Sequence, residues 1–385
     1  MTGSPHRLRV LNDQSALAFI LDGGTVTRAE LSALTGLSKP GVAELLTRLE
    51  SAGLVEKAEL RPGGPGPAKQ TWRVRADVGY AAAVDVTLER IRGRLHALDG
   101  TAIAETEIAW SGADVPGSIG AVVTALLQQA DLEPDALLGA VVGVPGAVDP
   151  RTGAVRGAPE LPALAGYDVA AALEAELGVA VQVVNDVNLM ALAAIADGAT
   201  AETRSLAFVW IDEGLGGAIV RDGELVRGFT GGAGEVDLLP VAMPGGATMR
   251  LADALSPAAL AQLAAGAGLP TADAALGTGS PVAPEVSRRI AAGLAAIVAV
   301  LDPELVLLGG RYGAPAAEQL PDAIRSALAD LLETDPAALP RLRPYPVGPD
   351  AALTGAGRIA LAEARRTAFA TGSLPASADP LRSSS

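Results

Sequence analysis

Twice along this chain a strand-like run is followed by a hairpin closed at an Asp-Gly pair, and this repetition constrains the fold more than any other feature. The first copy covers 79–86 and 91–98, the turn Asp99-Gly100, and 101–109. The second covers 205–211 and 216–220, the turn Asp222-Gly223, and 224–227. Helix-like and buried strand-like segments follow each copy. After the first come helices over 116–130, 168–177 and 190–196, with strands over 140–144 and 181–184. After the second come a helix-rich stretch over 251–300, a strand over 304–308 and a last helix over 351–370. Apolar strands alternating with helices predict an α/β fold, and the repetition predicts two lobes with a cleft between them. Ligands in such sheets bind at the carboxyl ends of strands, where Asp85, Asn185, Asp186 and the 212–216 loop lie.

At 385 residues and 49% hydrophobic, the chain can bury a large core, which excludes a wholly disordered protein. It lacks a membrane-length apolar run and a basic stretch followed by an apolar segment, so a cytoplasmic setting without membrane contact is expected. With no cysteine, disulfides, thiol catalysis and Cys-built zinc sites are excluded, and the two histidines, His6 and His96, lie far apart. The net charge of −15 argues against nucleic-acid binding by the whole surface. It conceals an asymmetry: residues 1–75 carry ten Lys/Arg against seven Asp/Glu, and the remainder nineteen against thirty-seven.

The basic head has its own pattern. An apolar-faced helix ends at Gly23-Gly24, and Thr27-Arg28-Ala29-Glu30 has capping-box form for a second helix that stops at Gly36. Ser38 caps a third helix, with Pro40 in its first turn and Val42, Leu45, Leu46 and Leu49 on one face. A hairpin follows, with Arg61-Pro62-Gly63-Gly64-Pro65-Gly66-Pro67 as its tip and Gln70–Arg75 as its return strand. Helix, helix, tight turn, helix and hairpin is the plan of a winged helix-turn-helix. Its third helix would enter the major groove of double-stranded DNA with Ser38, Lys39 and Gly41 at the base edges. Thr27, Arg28, Arg48, Arg61 and Lys69 would reach phosphates. The alternative is a three-helix protein-interaction domain without a DNA ligand.

These residues, taken in order, resemble the ROK family (repressors, open reading frames, kinases) in its transcriptional-regulator branch, over about residues 8–370. The carriers are TRAELSALTGLSKPGVAELLTRLESAGLV in the head, VGVPGAVDPRTGAV, VVNDVN, GGAGEVDLLPV, LDPELVLLGG and PDAALTGAGRIAL. The resemblance implies a two-lobed actin-like (ribonuclease H-like) ATPase-type fold, with the final helix returning to the first lobe. The expected organisation is a winged head over 1–76, a first lobe over 77–198 and 351–372, a second lobe over 199–350, and a disordered tail over 373–385.

The chain departs from the kinases of that family where they hold phosphate. Their glycine-rich turn is here Asp85-Val86-Thr87-Leu88-Glu89, and their second phosphate loop is Asp212-Glu213-Gly214-Leu215-Gly216. A phosphate site needs amide donors and no competing negative charge. Glu89, Asp212 and Glu213 oppose this, and no lysine follows Lys69. The resemblance places the kinase general base at Asp186 and a sugar-binding carboxylate at Glu235. The zinc-ligating His is replaced by Leu238, the cysteine cluster has no counterpart in 241–248, a second sugar-binding Glu stands as Ala252, and a sugar-binding Asn stands as Glu160. The wing has Gly66 where family repressors carry an Arg that enters the minor groove.

The expectation is therefore a transcriptional regulator without catalysis, cofactor or metal. It would bind a near-palindromic operator as a homo-oligomer, with Glu160, Asn185, Asp186 and Glu235 around a small-molecule effector, a sugar or an amino-bearing derivative. Three alternatives stand beside it: Asn185-Asp186 merely caps the next helix, the chain is a sugar kinase with Asp186 as base, or it is a ligand-independent DNA-binding or scaffold protein.

Overall fold

The computed structural model describes residues 5–62, 68–110, 114–158, 161–196, 198, 203–243, 246–346, 348 and 350–371. They form two compact units, one made of the chain up to Val142, Ala170–Gln182 and the chain from Ala356 on, the other of Gly143–Val169 and Val183–Gly355.

The first unit opens with α1 (Pro5–Gly23), β1 (Val26–Thr27), α2 (Arg28–Thr35), α3 (Lys39–Ser51), β2 (Val55–Arg61) and β3 (Lys69–Val74). The capping box forms: the Glu30 amide donates to Thr27 Oγ1 at 3.3 Å, and the Thr27 amide donates to the Glu30 carboxylate at 2.7 Å. Gly36 closes α2 in the left-handed region, Ser38 caps α3, and α3 buries Val42, Leu45, Leu46 and Leu49. Strands β1-β3-β2 make an antiparallel sheet in which Trp72 is buried. This is a winged helix-turn-helix; the wing tip with Pro65, Gly66 and Pro67 lies outside the described residues.

After the head come β4 (Tyr80–Val86), β5 (Arg90–Ala97), β6 (Ala102–Ala109), α4 (Val115–Gln129) and β7 (Leu137–Val144). Next are β8 (Ala147–Val148), β9 (Val155–Arg156), α5 (Val169–Leu177), β10 (Val181–Asn185) and α6 (Asp186–Ala196). The chain continues through β11 (Ser205–Ile211), β12 (Leu215–Arg221), β13 (Glu224–Leu225), β14 (Pro240–Ala242) and β15 (Thr248–Arg250). The remaining elements are α7 (Leu251–Ala254), α8 (Pro257–Gly266), α9 (Ala283–Leu301), β16 (Leu305–Gly309), α10 (Gly310–Gln319), α11 (Pro321–Leu332), β17 (Arg341–Pro344) and α12 (Ala351–Thr371).

The two main sheets run β6-β5-β4-β7-β10 and β13-β12-β11-β16-β17. In each, three hairpin strands come first and two later strands add on the other side of the founding strand. The repetition seen in the sequence is thus a repetition of topology, and the fold is the actin-like α/β plan behind a winged head. β11 shows why its sequence, SLAFVWI, is apolar after Ser205. Ala207, Val209 and Ile211 join the core with α9, α10 and α11, while Leu206 and Phe208 join the core with α6.

Two expectations change and a third gains detail. The helix expected from 190 begins at Asp186, because Asn185 Oδ1 accepts the Asn188 amide at 3.0 Å and so caps it. The strand expected over 224–227 is only Glu224–Leu225. The helix-rich stretch over 251–300 holds as expected and resolves into α7, α8 and α9, with Ser256 Oγ capping α8 by accepting the Ala259 amide.

Candidate ligand site and nucleic-acid interface

Within the second unit three loops converge. After β7, Pro145-Gly146 turns the chain into β8; the φ of Gly146 is +91°, and a side chain there would strike the Arg156 carbonyl. The Asn185 amide donates to the Gly146 carbonyl at 3.1 Å and to Asp186 Oδ1 at 3.0 Å. Asn185 is thus committed on both ends: its oxygen caps α6 and its nitrogen ties the 145–146 turn to Asp186. Asp186 Oδ1 also accepts the Val187 amide at 2.8 Å.

On the far side of that turn lies Gly157. A Cβ there would sit 3.7 Å from Glu235 Oε2, so Glu235 faces the 156–158 loop. The Glu235 carboxylate is half-buried and makes no hydrogen bond or ion pair among the described residues. Burial, and then the neighbouring Asp237, push its carboxyl above the usual range; burial likewise raises Asp237. An unsatisfied carboxylate in this setting can accept hydrogen bonds from a hydroxyl or amino group. The structure therefore links Asn185, Asp186 and Glu235 through Gly146 and the 156–158 loop. Glu160 lies outside the described residues.

The same corner holds residues that sequence reasoning left out. Asp149, almost fully buried, accepts from the Arg151 backbone at 2.9 Å and from its guanidinium at 2.9 and 3.1 Å. These bonds hold its carboxyl at about 2. The Arg151 guanidinium stacks on the Phe229 ring at 4.2 Å, and Arg156 donates to the Thr230 carbonyl at 2.6 Å. Gly231, at φ +80°, lets this loop meet β8; any side chain would run into the Val148 carbonyl. The sequence signal was present in the two arginines of the Asp149–Arg156 segment, but only the fold shows what they meet.

In the head, Ser38, Lys39 and Gly41 sit at the exposed N-terminal end of α3, and Lys39 makes no ion pair among the described residues. Arg28 lies over the Trp72 ring at 4.9 Å, and Lys69 is exposed and unpaired among the described residues. Thr27 is buried, with its hydroxyl spent in the capping box. The Arg48 guanidinium is held by Asp13 at 2.5 and 3.2 Å. Arg61 is held by Glu30 at 2.8 Å and by Thr25. A phosphate would have to displace a carboxylate to reach either arginine.

Residues 81–363 match the ROK family model. The chain belongs to the ROK family. Its head, over residues 15–64, matches a MarR family model. Among curated relatives of this ROK chain, the bifunctional enzyme NanE/NanK of Brucella melitensis is 33% identical over 170 residues, 42% of this chain and 32% of that protein. The xylose repressor of Caldicellulosiruptor bescii is 26% identical over 238 residues, 61% of this chain and 59% of that protein. The chain thus spans between a third and three fifths of these relatives. A solved ROK family transcriptional regulator, described as a homologue of the E. coli MLC protein, superposes with a TM-score of 0.74. It is 20% identical, over 95% of this chain and 98% of that one, which speaks for the fold alone.

The residues of this ROK chain do not fit the family's metal, and the chain's own carboxylate engages one of the loops where the family's kinases hold phosphate. Where the zinc cluster would stand, Val241 and Met243 pack into the apolar core and Leu238 is exposed. No group of three or more His, Asp or Glu among the described residues could hold a metal ion. In the second phosphate loop, Asp212 Oδ2 accepts the Arg311 amide at 2.9 Å and Oδ1 accepts the Glu213 amide at 2.9 Å. One amide in the first turn of α10 is thereby taken by the chain's own carboxylate, where a phosphate would need it free. In the other sheet, buried Asp85 lies opposite Arg92 in the strand register, and the Arg92 guanidinium reaches Glu105 and Glu107. No helix among the described residues is long and apolar enough to cross a membrane.

Proposed function

We propose that this ROK protein is a transcriptional repressor that binds a near-palindromic DNA operator through its winged head and takes a small-molecule effector in its kinase-like body. The observation that carries the reading is the head: a capped α2, a tight turn, and α3 presenting Ser38, Lys39 and Gly41 at its exposed N-terminus. Arg28, Lys39 and Lys69 supply the phosphate contacts; Arg48, Arg61 and Thr27 position α1, the wing and α2. The protein acts as a homo-oligomer in the cytoplasm, its two-fold symmetry matching the operator.

The body is a non-catalytic descendant of a sugar kinase. Asp212 on the α10 amide supports this, as do the acidic residues where phosphate would lie. Glu235 is the acceptor for a hydroxyl or amino group of a sugar-like effector, Asp186 a second acceptor, and Asn185 the group that positions Asp186. Effector binding must favour one conformation of the body over another to release DNA.

Selection of bound duplexes from a random library by the full-length protein tests the reading. A palindromic motif is expected; recovery at background only would overturn it. The kinase alternative predicts sugar-dependent nucleotide hydrolysis in a coupled assay, with loss in Asp186→Asn; no turnover is expected.

A further inference from the structure

Beside Glu235 two arginines are gathered on one carboxylate, and we propose that Arg151 and Arg156 form an anion subsite for the phosphate of a sugar phosphate. The inference rests on the reading that the second unit takes an effector at Glu235. Asp149 Oδ2 receives Arg151 Nη2 at 2.9 Å and Arg156 Nη2 at 3.5 Å, and the Asp149 side chain is only 6% exposed. The two guanidinium groups are 49% and 51% exposed, so their remaining edges face solvent. Two cations on one anion leave a net positive charge. Arg151 Nη1 and the Nε and Nη1 of Arg156 make no hydrogen bond among the described residues.

Neither side chain is loose. The Phe229 ring, itself 76% exposed, backs Arg151 at 4.2 Å. The Thr230 carbonyl holds Arg156 at 2.6 Å. Such restraint lowers the ordering cost of binding an anion. It also keeps two like charges together, an arrangement that a third charge of opposite sign would relieve.

The position is also right for a ligand already engaged at Glu235. Arg156 precedes Gly157, which faces Glu235 Oε2, and Thr230 Oγ1 and the Glu235 side chain both flank Gly232. One molecule can therefore donate hydroxyls to Glu235 and present an anion to the arginine pair. A phosphate monoester suits that pair better than a carboxylate. It brings three acceptor oxygens and up to two charges, and guanidinium forks bind it by paired hydrogen bonds.

Calorimetric titration of the full-length protein with glucose 6-phosphate, mannose 6-phosphate, ribose 5-phosphate, the three free sugars and glucuronate tests the subsite. At least one phosphate should bind tenfold or more tightly than its free sugar. Arg151→Gln and Arg156→Gln should each weaken the phosphate about 10- to 100-fold, as for a lost charged hydrogen bond, and leave any free-sugar affinity within about twofold. Arg156→Lys, which keeps the charge and loses the fork, should fall between. Equal binding of free sugars and phosphates, preference for glucuronate, or binding of free sugars alone would overturn the subsite and leave the effector reading standing. Binding of nothing in the panel would overturn both. The duplex selection is independent of all these outcomes and judges the DNA reading alone.

Discussion

Asp149 and Glu235 are carboxylates in opposite electrostatic states, and pH separates them. Hydrogen bonds from Arg151 lower Asp149 from the ordinary 3.8 to about 2. A lowered folded-state value contributes stability that is complete above about pH 4 and lost as the pH falls toward 2. Asp149→Asn should therefore flatten the acid limb of a plot of Tm against pH between those values. For Glu235 the sign reverses. Burial and Asp237 raise its value, so the ionised form is penalised in the folded protein and the fold gains as the pH falls through the raised value. Glu235→Gln should raise Tm at pH 7 and make no difference well below the carboxylate range. The same substitution should abolish effector binding, a trade between stability and function at a single side chain.

At the scale of elements, the head depends on caps and on one buried ring. Thr27→Ala removes the capping box of α2 and should cost about 1 kcal/mol. Trp72→Ala empties the middle of the three-stranded sheet and should cost about 3–5 kcal/mol. Hydrogen exchange of the α2 and β2–β3 amides reads both locally, which suits a chain of two compact units better than a single global unfolding curve. In the second unit, Gly231→Ala should unseat the 227–234 loop from β8, because the new Cβ would meet the Val148 carbonyl. Exchange at Val148 and Asp149 should rise, and the Arg151 and Arg156 restraints should loosen with it.

For the whole molecule, the proposed DNA complex should owe its salt dependence to the cations of the head that remain outside ion pairs. Four arginines of the head, Arg48, Arg61, Arg73 and Arg75, are paired with Asp13, Glu30, Glu56 and Asp77. Of the cations expected at phosphates, Arg28 and Lys69 stay outside such pairs among the described residues, as does Lys39, which the sequence pattern puts at the base edges and the proposed function adds to the phosphate contacts. At about −0.9 per neutralised phosphate, two heads should give a slope of log affinity on log salt near −5. Lys39→Ala should flatten it by about 2 if two heads engage the operator as proposed. A slope near −10 would mean that the internal ion pairs open on DNA.

The sequence by itself determined the winged head, the repeated hairpins and the α/β plan, because each is written in local terms. Thr27, Glu30, Gly36 and Ser38 act within four residues of themselves, and strand periodicity needs only neighbours. Asp186 and Glu235 could also be singled out as candidates from sequence, through motif and order. Which charged groups remain available was decided only by the tertiary structure. Arg48 lies 35 residues from Asp13, Arg61 31 from Glu30, and Arg311 99 from Asp212. Arg156 meets the loop of Thr230 across 74 residues. A charge announces itself in sequence, but its partner is fixed by chain folding over distances that no local pattern encodes. The pairs that silence Arg48 and Arg61, and the one that gathers Arg151 with Arg156, therefore emerge only when the sheets and loops are in place.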